Sequence, residues 1–297
     1  MKVYPLSYSI PEELFLNNYK KKIHDIAPLI PGKLETYIYD TEESYYNMYK
    51  SSKFGITHKK YGWDCLRHYE ILASRCVPIF KDLSNCPSWT MFNFPKEQII
   101  KLNNKNLSDI TDQDISDLMD YCKKNLTCIQ SAKRVISLIS PDHDSPRVLF
   151  ISGTIGYRNV NYTRELLAIG LRRYLRTNFI DYPKINVLYK GCTNKHKYIG
   201  KGFTYSERLD DIDIDRNDIS NRILNNEFDF IFYGKVGKKR GEIDPVEDLP
   251  FWKDVVSHYN KSQIIFIYGG DLSRNIEEDK CINYHKQYGI CFVREGY

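Results

Sequence analysis

Apolar runs of four to six residues alternate along this chain with longer stretches in which apolar residues recur every three or four positions. That alternation predicts strands and helices in turn, and hence parallel sheets of α/β type. In the first half the pattern predicts strands over Val3 to Ser9, Thr36 to Tyr39, Lys53 to Thr57, Val77 to Phe80 and Ile99 to Leu102, with helices over Glu42 to Lys50 and Asp64 to Ala73. Thr111 and Asp114 form a capping-box pattern. Ile115, Leu118, Met119, Cys122, Leu126 and Ile129 follow at helical spacing, predicting one long helix that continues to Ile139. Ser140-Pro-Asp-His-Asp-Ser-Pro146 then breaks the periodicity and reads as a linker, dividing the chain into domains over 1–140 and 146–297. Beyond it the pattern predicts strands over Val148 to Ser152, Ile185 to Tyr189, Phe228 to Tyr233, Gln263 to Tyr268 and Ile290 to Val293. Helices are expected over Asn161 to Arg176, Arg216 to Asn225 and Phe251 to Tyr259. The expected fold is two Rossmann-like domains.

The 297 residues give each half room for its own core. Charged residues make up 27% and hydrophobic residues 42%, as in ordinary globular chains, whereas 24 tyrosines are unusual and read as nucleotide-composition bias. The net charge of +5 is scattered apart from Lys20 to Lys22 and Lys238 to Arg240, a mild attraction for anions that gives nucleic-acid binding little support. Eight cysteines show no C-x-x-C pair and no histidine at zinc spacing, so buried, reduced thiols are expected. No run approaches the ~18 apolar residues of a membrane span. The first residues lack an apolar signal core, so a cytoplasmic protein is expected, in the host cytoplasm if the source is viral.

The stretch from Lys53 to Phe80 carries the most chemistry. A strand, a basic glycine turn, a helix and a second strand follow without a gap, which places a ligand site at the end of a parallel sheet. At 100° per residue Leu66, Tyr69, Leu72 and Ala73 share one helix face, while Asp64, Arg67, Glu70 and Ser74 share the other. Asp64 can cap the helix, with Lys59 and Lys60 adding positive charge for a phosphate, and Glu70 can accept hydrogen bonds from sugar hydroxyls. The plainer account is a solvated polar face with a chance Arg/Glu pair.

The D-x-x-R-x-x-E of Asp64, Arg67 and Glu70, followed by I-L-A-S-R-C-V-P-I-F, resembles the nucleotide-sugar-binding helix and strand of GT-B glycosyltransferases, in particular exostosin-like and viral members. The resemblance covers roughly Tyr37 to Lys96, including S-K-F-G-I-T and C-P-S-W-T-M. It implies Glu70 for the donor ribose and Arg67 for the diphosphate. Two departures stand out: only five residues separate Asp64 from Glu70, and Arg75 replaces the usual small residue before Cys76. The donor-like domain also comes first here, opposite to the family order. Because the ending ICFVREGY reads as running into the opening KVYPLSYSIPEE, a circular permutation is expected, with Met1 and Tyr297 close together at the domain junction.

Other constellations stay open between two accounts. Gly153, Thr154 and Gly156 form a turn after a strand, either structural or an acceptor-side loop. Tyr233-Gly234-Lys235 and Tyr268-Gly269-Gly270-Asp271 close strands at the edge where open α/β sheets bind ligands. Asp271 is the candidate catalytic base, or else a turn-forming aspartate. The run Asp210 to Asp218 lacks the EF-hand glycine and glutamate. It reads as a solvated acidic loop, with a cation on Asp213 and Asp215 as the other account. P-loop, zincin and α/β-hydrolase motifs do not occur. Together with the resemblance, these residues imply a metal-independent glycosyltransferase that needs no cofactor beyond its nucleotide-sugar donor and acts on a glycan, glycoconjugate or other hydroxyl acceptor. A catalytically inert glycan- or nucleotide-binding module of the same fold is the alternative.

Overall fold

Strands β5 (Val148–Ile151), β7 (Phe230–Tyr233), β8 (Ile264–Tyr268) and β9 (Ile290–Val293) are buried at every residue, the signature of parallel strands covered on both faces. The computed structural model describes residues 1–16, 21–153, 156–237, 243–271 and 275–297. With β1 (Val3–Pro5) and β6 (Phe179–Tyr182) these strands form a six-stranded sheet of order β1-β9-β8-β7-β5-β6, parallel throughout. A second parallel sheet contains β2 (His24–Ile26), β3 (Ser52–Thr57) and β4 (Val77–Phe80) in the order β2-β3-β4. The chain is thus α/β, with sheet topology of Rossmann-like character.

Side chains alternate across the large sheet. Val148, Phe150 and Phe232 join the core containing α5 (Cys128–Ile139) and α6 (Tyr162–Leu175). Leu149, Ile151 and Ile231 join the core beneath α7 (Ile219–Leu224), α8 (Trp252–His258) and α9 (Lys280–His285). Helices α5 and α6 cross so closely at Gly170 that an added Cβ would lie 2.0 Å from the Cys128 carbonyl oxygen. The first core continues into the small sheet and takes in Phe54, Val77 and Tyr69, the last from α2 (Leu66–Ala73). One apolar cluster therefore serves both sheets.

Several predicted elements change. Thr36 to Tyr39 is not a strand, because the Thr36 hydroxyl donates to the Lys33 carbonyl and accepts the Ile30 N–H, closing a turn. Ile99 to Leu102 belongs to helix α3 (Lys96–Asn103), in which Ile99 and Leu102 bury one turn apart. The long helix is two: α4 (Asp112–Asn125) ends before Thr127, whose side chain accepts the Gln130 N–H and starts α5. Ile10 inserts at that break, donating to the Leu126 carbonyl and accepting from the Cys128 N–H. Ile185 to Tyr189 is a turn rather than a strand, because buried Asp181 in β6 accepts the Ile185 N–H and folds the chain back immediately. The capping box at Thr111 forms as expected, and a second caps α1 (Glu42–Lys50) at Thr41.

The first and last strands of the chain are neighbours. Strand β1 lies beside β9 in the large sheet, not with the small one, and Val3 pairs with Cys291. The two strands are parallel, and the Met1 ammonium donates to the Lys286 carbonyl before β9 begins. Met1 and Tyr297 therefore leave opposite edges of neighbouring strands. A join from Tyr297 to Met1 would therefore run as a crossover between parallel neighbours, to which residues 294–297 and 1–2 already contribute.

Candidate functional site

A cavity of about 680 Å³ opens at the C-terminal edge of the large sheet, between the ends of β7 and β8, the start of α6, the first turn of α2 and a loop around Ile199 to Phe203. It brings together Lys60, Asp64, Arg67, Glu70 and Asp271 from the predicted set. Lys59 does not line it; its ammonium lies 4.9 Å above the Trp63 ring. Gly153 and Gly156 lie in the β5–α6 turn outside the cavity wall, and Thr154 falls outside the described residues.

Arg294 anchors the cavity floor. It is completely buried, lies 4.4 Å from the Tyr8 ring centroid, and donates to the carbonyls of Asp64 (2.7 Å), Gly269 (3.4 Å) and Gly270 (2.6 Å). It also pairs with Asp271 at 2.6 Å and Glu295 at 3.0 Å. Glu295 accepts the Asp64 N–H, and Gly62 packs so tightly that a Cβ there would lie 2.3 Å from the Asp271 carbonyl and from Glu295 Oε1. The turn before α2 is thus bolted to the ends of β8 and β9. The C-P-S-W-T-M turn locks the same tail: Trp89 Nε1 donates to the Val293 carbonyl, and Thr90 exchanges hydrogen bonds with Gly296.

Asp64 is not the helix cap. Cys65 occupies the N-cap position without a side-chain cap bond, and the Asp64 carboxylate accepts from the Tyr8 N–H and Tyr69 O–H. Glu70 accepts from the Tyr45 hydroxyl at 2.5 Å and from the Thr204 hydroxyl, so it ties α2 to α1 and to the loop from the second half. Arg67 donates to the Tyr37 hydroxyl at 2.9 Å, and its buried Nε has no hydrogen-bond partner among the described residues. Asp271 is held by Arg294 through one oxygen and keeps a side chain that is 65% exposed.

Every carboxylate on this wall is therefore hydrogen-bonded or ion-paired within the protein. Lys201 pairs with Asp40, but Lys60 and Lys235 have no acidic partner among the described residues. Two ammonium groups thus line the cavity without an ion pair among the described residues. Sequence reasoning missed the aromatic wall: Tyr37, Tyr39, Tyr45, Tyr61 and Tyr162 all line the space, although no spacing in the chain sets them apart from the other tyrosines. The aspartate run lies elsewhere, with Asp210 and Asp211 paired to Lys190 and Lys184. Among the described residues no group of His, Cys, Asp or Glu is arranged to hold a metal ion, and no helix is long and apolar enough to cross a membrane. All eight cysteines are free thiols.

Burial pushes the Asp64 carboxyl up to about 6, against the pull of Arg294 and with added repulsion from Glu295. An unfolded aspartate titrates near ~3.9. The stability linked to Asp64 is therefore fully present below about pH 4 and is lost as pH rises through about 6. His68 runs the opposite way. Burial lowers it to about 3, with Nε2 on the Trp63 carbonyl and Nδ1 on the Thr57 hydroxyl, so its stability is lost as pH falls from about 6.5 toward 3. In urea unfolding, Asp64→Asn should compare more favourably with the parent at pH 7 than at pH 4. An equal difference at both pH values would show that Asp64 does not titrate in this window.

Burial also raises the Glu70 carboxyl, opposed by the Thr204 and Tyr45 hydrogen bonds. The cavity thus combines ammonium groups, internally hydrogen-bonded or ion-paired carboxylates and tyrosine rings. No protein-family model, curated protein or solved structure matches this chain.

Proposed function

We propose that the chain is a glycosyltransferase of GT-B type that moves a sugar from a nucleotide-diphosphate donor to a hydroxyl acceptor. The half with the small sheet binds the donor, and the half with the large sheet faces the acceptor. The observation that carries this reading is the pair of ammonium groups on the cavity wall, Lys60 and Lys235, neither of which has an ion pair among the described residues and both of which can meet an anion. Its place at the C-terminal edge of a parallel sheet is where open α/β folds bind nucleotides.

In the reaction the anomeric carbon–oxygen bond to the diphosphate breaks, its electron pair leaving with the phosphate, and the acceptor oxygen bonds to the anomeric carbon. Lys60 and Arg67 stabilise the leaving charge, as fixed cations in a water-poor cleft do. In an inverting course Asp271 takes the acceptor proton, with Arg294 fixing the direction of its carboxylate.

Thermal-shift screening of nucleotide sugars, with and without EDTA, tests the reading, since a ligand that binds only the folded state raises Tm. A matching donor at 100 times its Kd should add about 2.7 kcal/mol of stability and be hydrolysed or transferred in EDTA. If no nucleotide sugar shifts Tm at millimolar concentration, the proposal fails. Binding without turnover would identify an inert module, and turnover restored only by a divalent metal would revive the aspartate-run site.

A further inference from the structure

We propose that Lys235, from the half of the chain opposite the donor helix, supplies part of the countercharge for the donor diphosphate. This inference rests on the nucleotide-sugar reading above. Lys235 lies just past β7, where two backbone contacts fix its position. Gly234 donates to the Ile151 carbonyl at 2.9 Å and is pressed so closely on the Phe150 ring that a Cβ would lie 2.3 Å from it. Val236 donates to the Ile267 carbonyl at 3.1 Å and is itself buried. Between these anchors the Lys235 side chain has no freedom to leave with its backbone, and it lines the same cavity as Lys60 and Arg67.

Its surroundings do not neutralise it. Glu165, the acid whose charge acts on Lys235, is already engaged by Arg164 and by the Asn161 N–H, and no acidic side chain pairs with Lys235 among the described residues. Burial, reinforced by the Arg164 charge, pushes its ammonium down from the usual lysine range. A half-buried cation held at a cavity wall against that penalty is arranged for an anionic ligand. The end of β8, which carries Asp271, separates Lys235 at the end of β7 from the Gly62 turn that carries Lys60. A diphosphate held by both ammonium groups, set off from the Asp271 carboxylate, meets cations from both halves of the chain. The C-terminal half then takes a direct part in departure of the leaving group.

The test is calorimetric titration of the parent, Lys235→Met and Lys235→Arg with UDP, GDP and inorganic pyrophosphate, with thermal melts to show that each variant is folded. Lys235→Met should weaken the nucleoside diphosphate that binds the parent by about 10- to 100-fold, the range for losing a charge-assisted hydrogen bond, and Lys235→Arg should recover most of it. Pyrophosphate should show the same ordering, because the contact is to phosphate and not to base. Unchanged nucleoside diphosphate affinity in a folded Lys235→Met protein would overturn this inference and leave the donor reading standing. A parent that binds none of the three probes would overturn both.

Discussion

Replacing Arg294 with methionine is expected to destabilise the folded protein by about 3 to 5 kcal/mol, the range for removing one partner from a buried ion-pair network. The guanidinium joins Asp64 of the turn before α2 to Gly269, Gly270 and Asp271 at the end of β8 and to Glu295 after β9. Methionine fills a similar volume but donates nothing, so these carbonyls and the Asp271 carboxylate lose their buried donor. Lysine should recover only part of the loss, since one ammonium cannot reproduce the planar fork that serves five acceptors. Equilibrium urea unfolding measures the difference. A loss below about 1 kcal/mol would mean that the network behaves like a surface ion pair and does not hold the cavity floor together.

Glu70→Ala is expected to weaken donor binding by about 10- to 100-fold, the equivalent of about 1.5 to 3 kcal/mol for a charge-assisted hydrogen bond to a hydroxyl pair. The structure adds a second consequence. Glu70 accepts from Tyr45 and Thr204, and Thr204 is held at φ +76, a conformation that residues with a Cβ adopt only under constraint. Removing the carboxylate leaves the Tyr45 hydroxyl without its acceptor and the Thr204 hydroxyl with Tyr46 alone, and releases that constraint, so Tm should fall together with donor affinity. Glu70→Gln keeps the shape and one acceptor oxygen, and should recover stability more fully than affinity. Measured Kd values for the best nucleotide sugar separate the two roles: a lowered Tm with unchanged Kd would make Glu70 purely structural.

Parts of this architecture were legible because they depend on local pattern. Fully apolar, β-branched and aromatic runs such as Val148 to Ile151 and Ile290 to Val293 suit interior strands, and the Thr111–Asp114 capping box announces α4 within three residues. The polar face of α2 was also readable, because helical spacing alone places Arg67 and Glu70 on one side, and both line the cavity. Where local pattern was ambiguous, contacts distant in sequence decided. The Ile99 to Leu102 segment suits a strand or a helix equally until its packing is known. The break between α4 and α5 is occupied by Ile10, more than a hundred residues earlier in the chain.

The site divides in the same way. Sequence alone determined the residue types that could bind a phosphate and a sugar, and placed Asp271 and Lys235 at strand ends where ligands collect. Only the tertiary structure decided that Asp64 turns inward to Tyr8 and Tyr69, that Glu70 meets Thr204 from the other half, and that Arg294 joins Asp64 to Asp271. It also decided that β1 lies parallel to β9, which sends the two chain ends to opposite edges. The physical reason is that helix and strand periodicity is set by neighbours a few residues apart. The burial of a charge depends on which distant donors close around it, and no short-range pattern carries that information.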